Sequence, residues 1–129
     1  MIEFKNALKN GDLEKLKAKL EDGIDVNDRS GEYRYPIHKA VLLKDVDIVR
    51  LFLKHNADIN IQEPLQGNTP INLAIFNKDL QMVSFLKENG ANLDIKNSWG
   101  MNSLEYAIYL KNNMNFDDIA DIIETLKIC

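Results

Sequence analysis

The chain has 129 residues, of which 45% are hydrophobic and 28% are charged, and its formal net charge is −4. This composition is typical of a globular domain, and it lacks the basic stripe that nucleic-acid-binding proteins carry. The only cysteine is Cys129, so no internal disulfide can form, and no apolar run is long enough to cross a bilayer. The first residues lack the order of a signal peptide. We therefore expect a cytoplasmic protein with no nucleic-acid or membrane partner.

A pair of short helices is predicted at the start of the chain. Phe4, Ala7 and Leu8 are spaced along one face of a first helix. Asp12 follows a break in that pattern and can cap a second helix by accepting hydrogen bonds from its first free amides. Gly23 stands where a left-handed residue would end the second helix.

The same pattern recurs along the rest of the chain. The clearest copy, residues 35–41, returns 34 residues later as residues 69–75 and 33 residues after that as residues 102–108. In the middle copies, Asp45 and Asp79 are expected to cap the second helix. A fixed period of this size indicates stacked supersecondary units. The predicted units of this single domain are residues 1–28 (an N-terminal cap), 29–61, 62–95 and 96–129 (a C-terminal cap).

The period also predicts which side chains form the core. Six matched positions are expected to be buried, three in first helices and three in second helices: Ala40, Ala74, Ala107, Leu51, Phe85 and Ile122. Asn56 replaces the glycine that ends the second helix elsewhere, and we expect it to be left-handed. Asp117 and Asp118 are expected to begin the final helix, where carboxylates offset the positive end of the helix dipole.

The recurring segments resemble ankyrin repeats. Residues 69–75 read Thr-Pro-Ile-Asn-Leu-Ala-Ile, like the T-P-L-H start of that repeat, and residues 23–27 read Gly-Ile-Asp-Val-Asn, like its G-A-D-V-N close. The resemblance covers essentially the whole chain, with departures at Tyr35, Asn72 and Ser103, where Thr, His and Pro are usual. It implies an all-α fold, an ankyrin-repeat solenoid of four helix-turn-helix units with short β-hairpin-like fingers.

Neither histidine is expected to be catalytic. The resemblance implies that His38 bonds to backbone and ties neighbouring repeats together, and His55 is expected to be solvated near a helix end. The two have no acidic residue at a metal-ligand spacing common to both, and the carboxylates of residues 117–124 lack the pattern of a calcium loop. No phosphate-binding glycine loop or nucleophile motif is present. We expect no catalytic residue, no metal and no cofactor, and a small enzyme without a recognised motif is the disfavoured alternative.

The resemblance also implies which positions contact a protein partner: the finger tips and the outward positions of each first helix. The protein-binding residues predicted in this way are Glu32, Arg34, Leu42, Leu43, Leu65, Gln66, Asn68, Phe76, Asn77, Ser98, Trp99, Met101, Tyr109 and Leu110. Large apolar side chains in solvent-facing positions usually mark an interaction site, and Trp and Tyr are frequent anchors. The alternative is that some of them pack between repeats as core, Leu42 and Leu110 first.

These observations predict a non-enzymatic protein–protein interaction module. The resemblance implies that it binds one folded protein through its concave face and finger loops. The alternative within the same class is an inhibitor or immunity-type protein that blocks the active site of an enzyme or toxin. The net charge of −4 would then favour a partner with a basic surface. We expect the unbound chain to be a monomer.

Overall fold

A computed structural model describes residues 1–127 of the chain. Within that range the regular structure is entirely helical, as the sequence predicts. The eight described helices are α1 (Ile2–Asn10), α2 (Leu13–Glu21), α3 (Pro36–Leu42), α4 (Val46–Lys54), α5 (Pro70–Phe76), α6 (Leu80–Glu88), α7 (Ser103–Asn113) and α8 (Ala120–Lys127). Residues 128 and 129, the end of the predicted C-terminal cap, lie outside the described residues. The chain divides into two compact units, Met1–Asp58 and a second that begins at Ile59.

Two helix pairs form the first unit. Helix α1 packs against α2 and α3 against α4, and the pairs stack through contacts of α1 with α3 and of α2 with α4. The rings of Phe4 and Phe52 stack with their centroids 5.8 Å apart. Leu16, Ile48 and Val49 are also fully buried. Burying side chains of this size stabilises the fold by about 1.5–3 kcal/mol each.

The second unit repeats this arrangement with α5 to α8. Helices α5 and α6 form one pair, α7 and α8 form the other, and the pairs stack through α5 with α7 and α6 with α8. All four apolar residues of the predicted final stripe are buried: Ile119, Ile122, Ile123 and Leu126. The spacing at i, i+3, i+4 and i+7 therefore identified the inner face of α8.

Local signals placed the helix ends accurately. Asp12, Asp45 and Asp79 each accept a hydrogen bond from the amide three residues later, at 3.1, 3.1 and 3.2 Å. Asn56 has a φ of 70° and Gly90 a φ of 94°, so both are left-handed as expected. These contacts are short-range in sequence, which is why the sequence alone predicts them.

The predicted core is right in part. Ala40, Ala74, Ala107 and Ile122 are buried, but Leu51 and Phe85 are only half-buried, so their prediction as core residues is wrong. The fully buried residues of α4 and α6 are Ile48, Val49, Phe52, Met82, Val83 and Leu86. Leu51 and Phe85 immediately precede the last buried residue of each helix, which places them about 100° away from it around the helix axis. In addition, α8 begins at Ala120, after the two acidic residues expected to start it.

Candidate functional site

Two finger loops of the second unit are hydrogen-bonded side by side. The second finger is residues 62–68 and the third finger is residues 96–102. The Ser98 amide donates to the Gln66 carbonyl at 3.0 Å, and the Ser98 hydroxyl donates to the Leu65 carbonyl at 2.7 Å. No strand forms in either finger, so the predicted β-hairpin character is limited to hydrogen-bonded turns. The contact fixes the tip of one finger against the tip of the next.

Gly67 is required at this contact between the fingers. Its φ is 66°, in the left-handed region, and a Cβ atom added there would lie 2.9 Å from the Ser98 backbone nitrogen. Glycine satisfies both conditions because it has no side chain. The Gln62 side-chain amide reinforces the same contact by donating to the carbonyls of Gly67 at 3.0 Å and Lys96 at 2.9 Å.

Trp99 is presented by a rigid turn in the third finger. The Asn97 amide donates to the Met101 carbonyl at 3.0 Å, and the Asn97 side-chain oxygen accepts from the amides of Trp99 and Met101 at 3.0 and 3.1 Å. Asn97 is buried, whereas Trp99 is 60% exposed. The backbone that carries the indole is therefore fixed by hydrogen bonds within the third finger.

Phe76 is exposed at the C-terminal end of α5, where it packs against Phe116. Their ring centroids are 5.7 Å apart, and the Lys78 ammonium lies 4.6 Å from the Phe116 centroid. Lys78 also pairs with Asp118 at 3.1 Å, and its hydrogen bond lowers the pKa of the Asp118 carboxyl below its usual value. The sequence analysis missed Phe116. The available signal was the unusual length of the connection between α7 and α8 that carries it.

Tyr109 is exposed on α7, whereas Tyr106, three residues earlier, is buried. Burial raises the pKa of the Tyr106 hydroxyl to about 12, and the charges of Glu63 and Tyr109 add to the shift. Tyr106 therefore stays neutral at physiological pH. Tyr106 packs within the unit, and of these two tyrosines Tyr109 is the one that presents its phenol to solvent.

A chain of buried polar side chains runs through the second unit. The Ser103 hydroxyl donates to the Asn72 oxygen at 2.9 Å, and the Asn72 amide donates to the Asn68 oxygen at 3.4 Å. The Asn68 amide in turn donates to Glu63 at 3.3 Å. Asn68 is buried, and its side chain makes hydrogen bonds within this polar series. The prediction that Asn68 contacts a partner is therefore wrong. Asn72 and Ser103, two departures from the usual repeat, bond directly to each other.

The remaining predicted binding residues of the second unit differ in their exposure to solvent. Leu110 is buried, so its prediction as a surface residue is wrong and the core alternative is the one observed. Gln66 and Ser98 are exposed, and Asn77 and Met101 are half-buried. Leu65 is 76% exposed at the second finger tip. We call Leu65, Phe76, Trp99 and Tyr109 the aromatic surface.

In the first unit, the predicted charged residues are partly engaged within the fold. Glu32 pairs with Lys39 and, at 3.4 Å, with Lys5. The hydrogen bond from Lys39, supported by Lys5, lowers the pKa of the Glu32 carboxyl. The Arg34 guanidinium lies 5.2 Å from the centroid of the Tyr33 ring. Of the two leucines predicted to contact a partner in this unit, Leu42 is half-buried and Leu43 is exposed.

The described residues contain neither a candidate metal site nor a membrane-spanning helix. Across residues 1–127, no three His, Cys, Asp or Glu side chains are grouped to hold a metal ion, and no helix is long and apolar enough to cross a bilayer. His38 is fully buried, with its ring 5.9 Å from that of Tyr35. Its burial supports a role in packing, because a substrate could not reach the imidazole.

The repeat pattern, the stacked helix pairs and the finger loops agree with a known family. The sequence model of ankyrin repeats, with three copies, matches residues 4–97 and residues 38–123. The chain belongs to the ankyrin repeat family. Ankyrin repeats are protein–protein interaction modules, and they are generally non-enzymatic.

Three relatives illustrate how this ankyrin repeat protein compares with characterised chains. It is 33% identical to the Arabidopsis thaliana serine/threonine-protein kinase 12 over 63% of its own length and 17% of the kinase. It is 30% identical to the Bos taurus cyclin-dependent kinase 4 inhibitor B over 74% of its length and 72% of the inhibitor. It is 26% identical to the Drosophila yakuba NF-kappa-B inhibitor cactus over 74% of its length and 20% of cactus. The match therefore spans small parts of two relatives and most of the third.

Proposed function

We propose that the chain is a non-enzymatic protein-binding module and that the aromatic surface of its second unit is the main contact with a folded protein partner. The observation that carries this proposal is the exposure of Trp99 on a turn fixed by the buried Asn97. A tryptophan held rigidly in water contributes little to the fold, whereas a preorganised aromatic anchor contributes strongly to a protein interface. We also propose that the protein is located in the cytoplasm.

The proposed surface combines three exposed aromatic side chains and a leucine with polar residues near them in the sequence. Gln66 and Ser98 are exposed beside the finger tips, and Asn77 follows Phe76 at the end of α5. Met101, in the third finger, adds an adaptable apolar side chain. Such a composition is typical of interfaces with an apolar core and a polar rim. In the first unit, Arg34 and the two leucines after Val41 are proposed as additional contacts, on the family's pattern alone.

The charge of the second unit favours a partner with a basic surface. Residues 59–129 contain five lysines and nine Asp or Glu residues, a net charge of −4, whereas residues 1–58 contain eleven of each sign. The whole excess of negative charge therefore lies in the unit that carries the aromatic surface. A basic partner would be steered to this unit, and the association rate would fall as salt is added.

Inhibition by occupancy is the more specific candidate within this function. Two of the relatives are named as inhibitors, one of cyclin-dependent kinase 4 and one of NF-kappa-B. The kinase inhibitor is matched over most of its length, so a chain of this size is sufficient for a named inhibitor of the family. We propose that this chain also acts by covering a surface of its partner rather than by chemistry.

A differential capture experiment tests the proposed function. The wild-type chain, Trp99→Ala, Tyr109→Ala and Glu124→Ala are immobilised in parallel and exposed to a lysate of the source cell. Glu124 is exposed on α8 and serves as the matched surface control. The proposal expects a protein retained by the wild type and by Glu124→Ala but lost from the two aromatic variants, measured by quantitative mass spectrometry. Equal retention by all four chains would contradict it.

A further inference from the structure

The tips of the two fingers in the second unit are exposed and uncharged. We call residues 64–66 of the second finger and residues 98–100 of the third finger the paired tips. All six residues are exposed, and none has a charged side chain. Leu65 and Trp99 are the large apolar side chains among them, one on each tip. The net negative charge of the unit is therefore carried outside the paired tips.

A hydrogen bond between the paired tips holds these two apolar residues close together. The Ser98 hydroxyl donates to the Leu65 carbonyl at 2.7 Å, and Trp99 is the next residue along the chain. At standard bond lengths, the Cα atoms of Leu65 and Trp99 are then no more than about 12 Å apart. This separation is small compared with the width of a protein interface, so one partner can contact both side chains at once.

Gln62 provides a second side-chain link between the fingers. Its side-chain nitrogen lies in the second finger and donates to the Lys96 carbonyl of the third finger at 2.9 Å. The Ser98 amide adds a backbone hydrogen bond to the Gln66 carbonyl at 3.0 Å. Of these three bonds with the one from the Ser98 hydroxyl, two are made by side chains. Substitution of Gln62 and Ser98 can therefore loosen the paired tips while Leu65 and Trp99 stay unchanged.

We propose that Ser98 and Gln62 are positioning residues, which hold Leu65 and Trp99 as one anchor for an apolar cleft of the protein partner. This inference rests on the proposed function, because both apolar residues belong to the aromatic surface. The Ser98 hydroxyl bonds to the second finger, so Ser98 acts on binding through its neighbours. An apolar cleft is the complement, since burying uncharged tips desolvates no charge. Fixing both side chains beforehand also reduces the conformational entropy that is lost on binding.

The paired tips should act on a different step of binding from the acidic residues of the same unit. Attraction between the acidic unit and a basic partner raises the association rate, and added salt weakens that attraction. Close apolar packing changes mainly the dissociation rate. Loosening the paired tips should therefore speed dissociation and leave the salt dependence of association unchanged.

Nitrogen-15 NMR relaxation of the free chain tests the positioning role without a partner. In the double variant Gln62→Ala, Ser98→Ala, the amide order parameters of Leu65 and Trp99 should fall from about 0.85 towards about 0.6. Ser98→Thr alone keeps the hydroxyl and should keep the wild-type values. Ser84→Ala, at a half-buried serine of α6, is the matched control. Wild-type order parameters at both tips of the double variant would overturn the proposal.

Surface plasmon resonance with the protein identified by differential capture tests the effect on binding. The double variant should dissociate about fivefold faster or more, while its circular dichroism remains helical. Its association rate should keep the salt dependence of the wild type. A wild-type dissociation rate in the double variant, with binding weakened by Trp99→Ala, would overturn the positioning role alone. Wild-type binding by Trp99→Ala would instead contradict the proposed function, and this inference with it.

Discussion

The contact between the two fingers of the second unit makes a specific prediction about Gly67→Ala. The substitution places a Cβ atom 2.9 Å from the Ser98 backbone nitrogen and imposes a left-handed conformation on alanine. The conformation alone costs about 1–2 kcal/mol. Relief of the clash requires the fingers to separate, which breaks the two hydrogen bonds that Ser98 makes to Gln66 and Leu65. Each such bond contributes about 0.5–1.5 kcal/mol net.

Gly100→Ala is the matched control for this prediction. Gly100 lies in the third finger with a φ of 77°, and a Cβ atom there would meet no atom within 4 Å. It therefore incurs the conformational cost without the clash. The free energy of unfolding of Gly67→Ala should be lower than that of Gly100→Ala by about 1–3 kcal/mol, the value of the two lost hydrogen bonds.

Urea unfolding measures this difference. At a typical slope of about 2 kcal/mol per molar, the two midpoints should differ by about 0.5–1.5 M. Trp99, the only tryptophan, reports on the third finger by fluorescence, and circular dichroism reports on the helices. Coincident midpoints for the two variants would refute the inference that the contact at Ser98 holds the fingers together.

Four further substitutions test the core, the buried polar chain and the ionisation of Tyr106. Leu86→Ala, at a fully buried position, should lower the free energy of unfolding by about 2–5 kcal/mol. Leu51→Ala, at a half-buried position, should lower it by clearly less, and thermal unfolding measures both variants. Ser103→Ala removes the hydroxyl that donates to the buried Asn72 and should cost about 1–3 kcal/mol by urea unfolding. Because the pKa of Tyr106 is raised to about 12, stability should be intact below pH 10 and fall between about pH 10 and 12. Tyr106→Phe should reduce that alkaline loss, and an unchanged pH profile of unfolding would contradict the assignment.

Features that depend on neighbours in sequence were predictable. The three capping aspartates act on amides three residues away, and Asn56 adopts the left-handed conformation that glycine adopts elsewhere. The burial of Ala74 and Ile122 follows from the repeat, because each copy packs against its neighbours at the same positions.

Features that depend on side-chain contacts outside the repeat pattern were not predictable. Asn68 occupies a finger position that is usually exposed, but it is buried because Asn72, four residues on, donates to it and Glu63 accepts from it. Phe116 reaches Phe76 across 40 residues, and nothing in the local sequence specifies that meeting. The predicted exposure is therefore observed where it follows from a finger tip, as at Trp99, and is not observed where a side chain has a partner inside the unit, as at Asn68.

The central claim, that the aromatic surface binds a protein partner, is tested most directly by titration calorimetry with the protein identified by differential capture. Trp99→Ala and Tyr109→Ala should each weaken its affinity by about tenfold or more, which corresponds to at least about 1.4 kcal/mol. Their thermal midpoints should stay close to that of the wild type, because both side chains face solvent. Glu124→Ala should leave the affinity unchanged. Wild-type affinity in both aromatic variants, or a loss confined to Glu124→Ala, would contradict the claim and move the binding surface away from the fingers and α7.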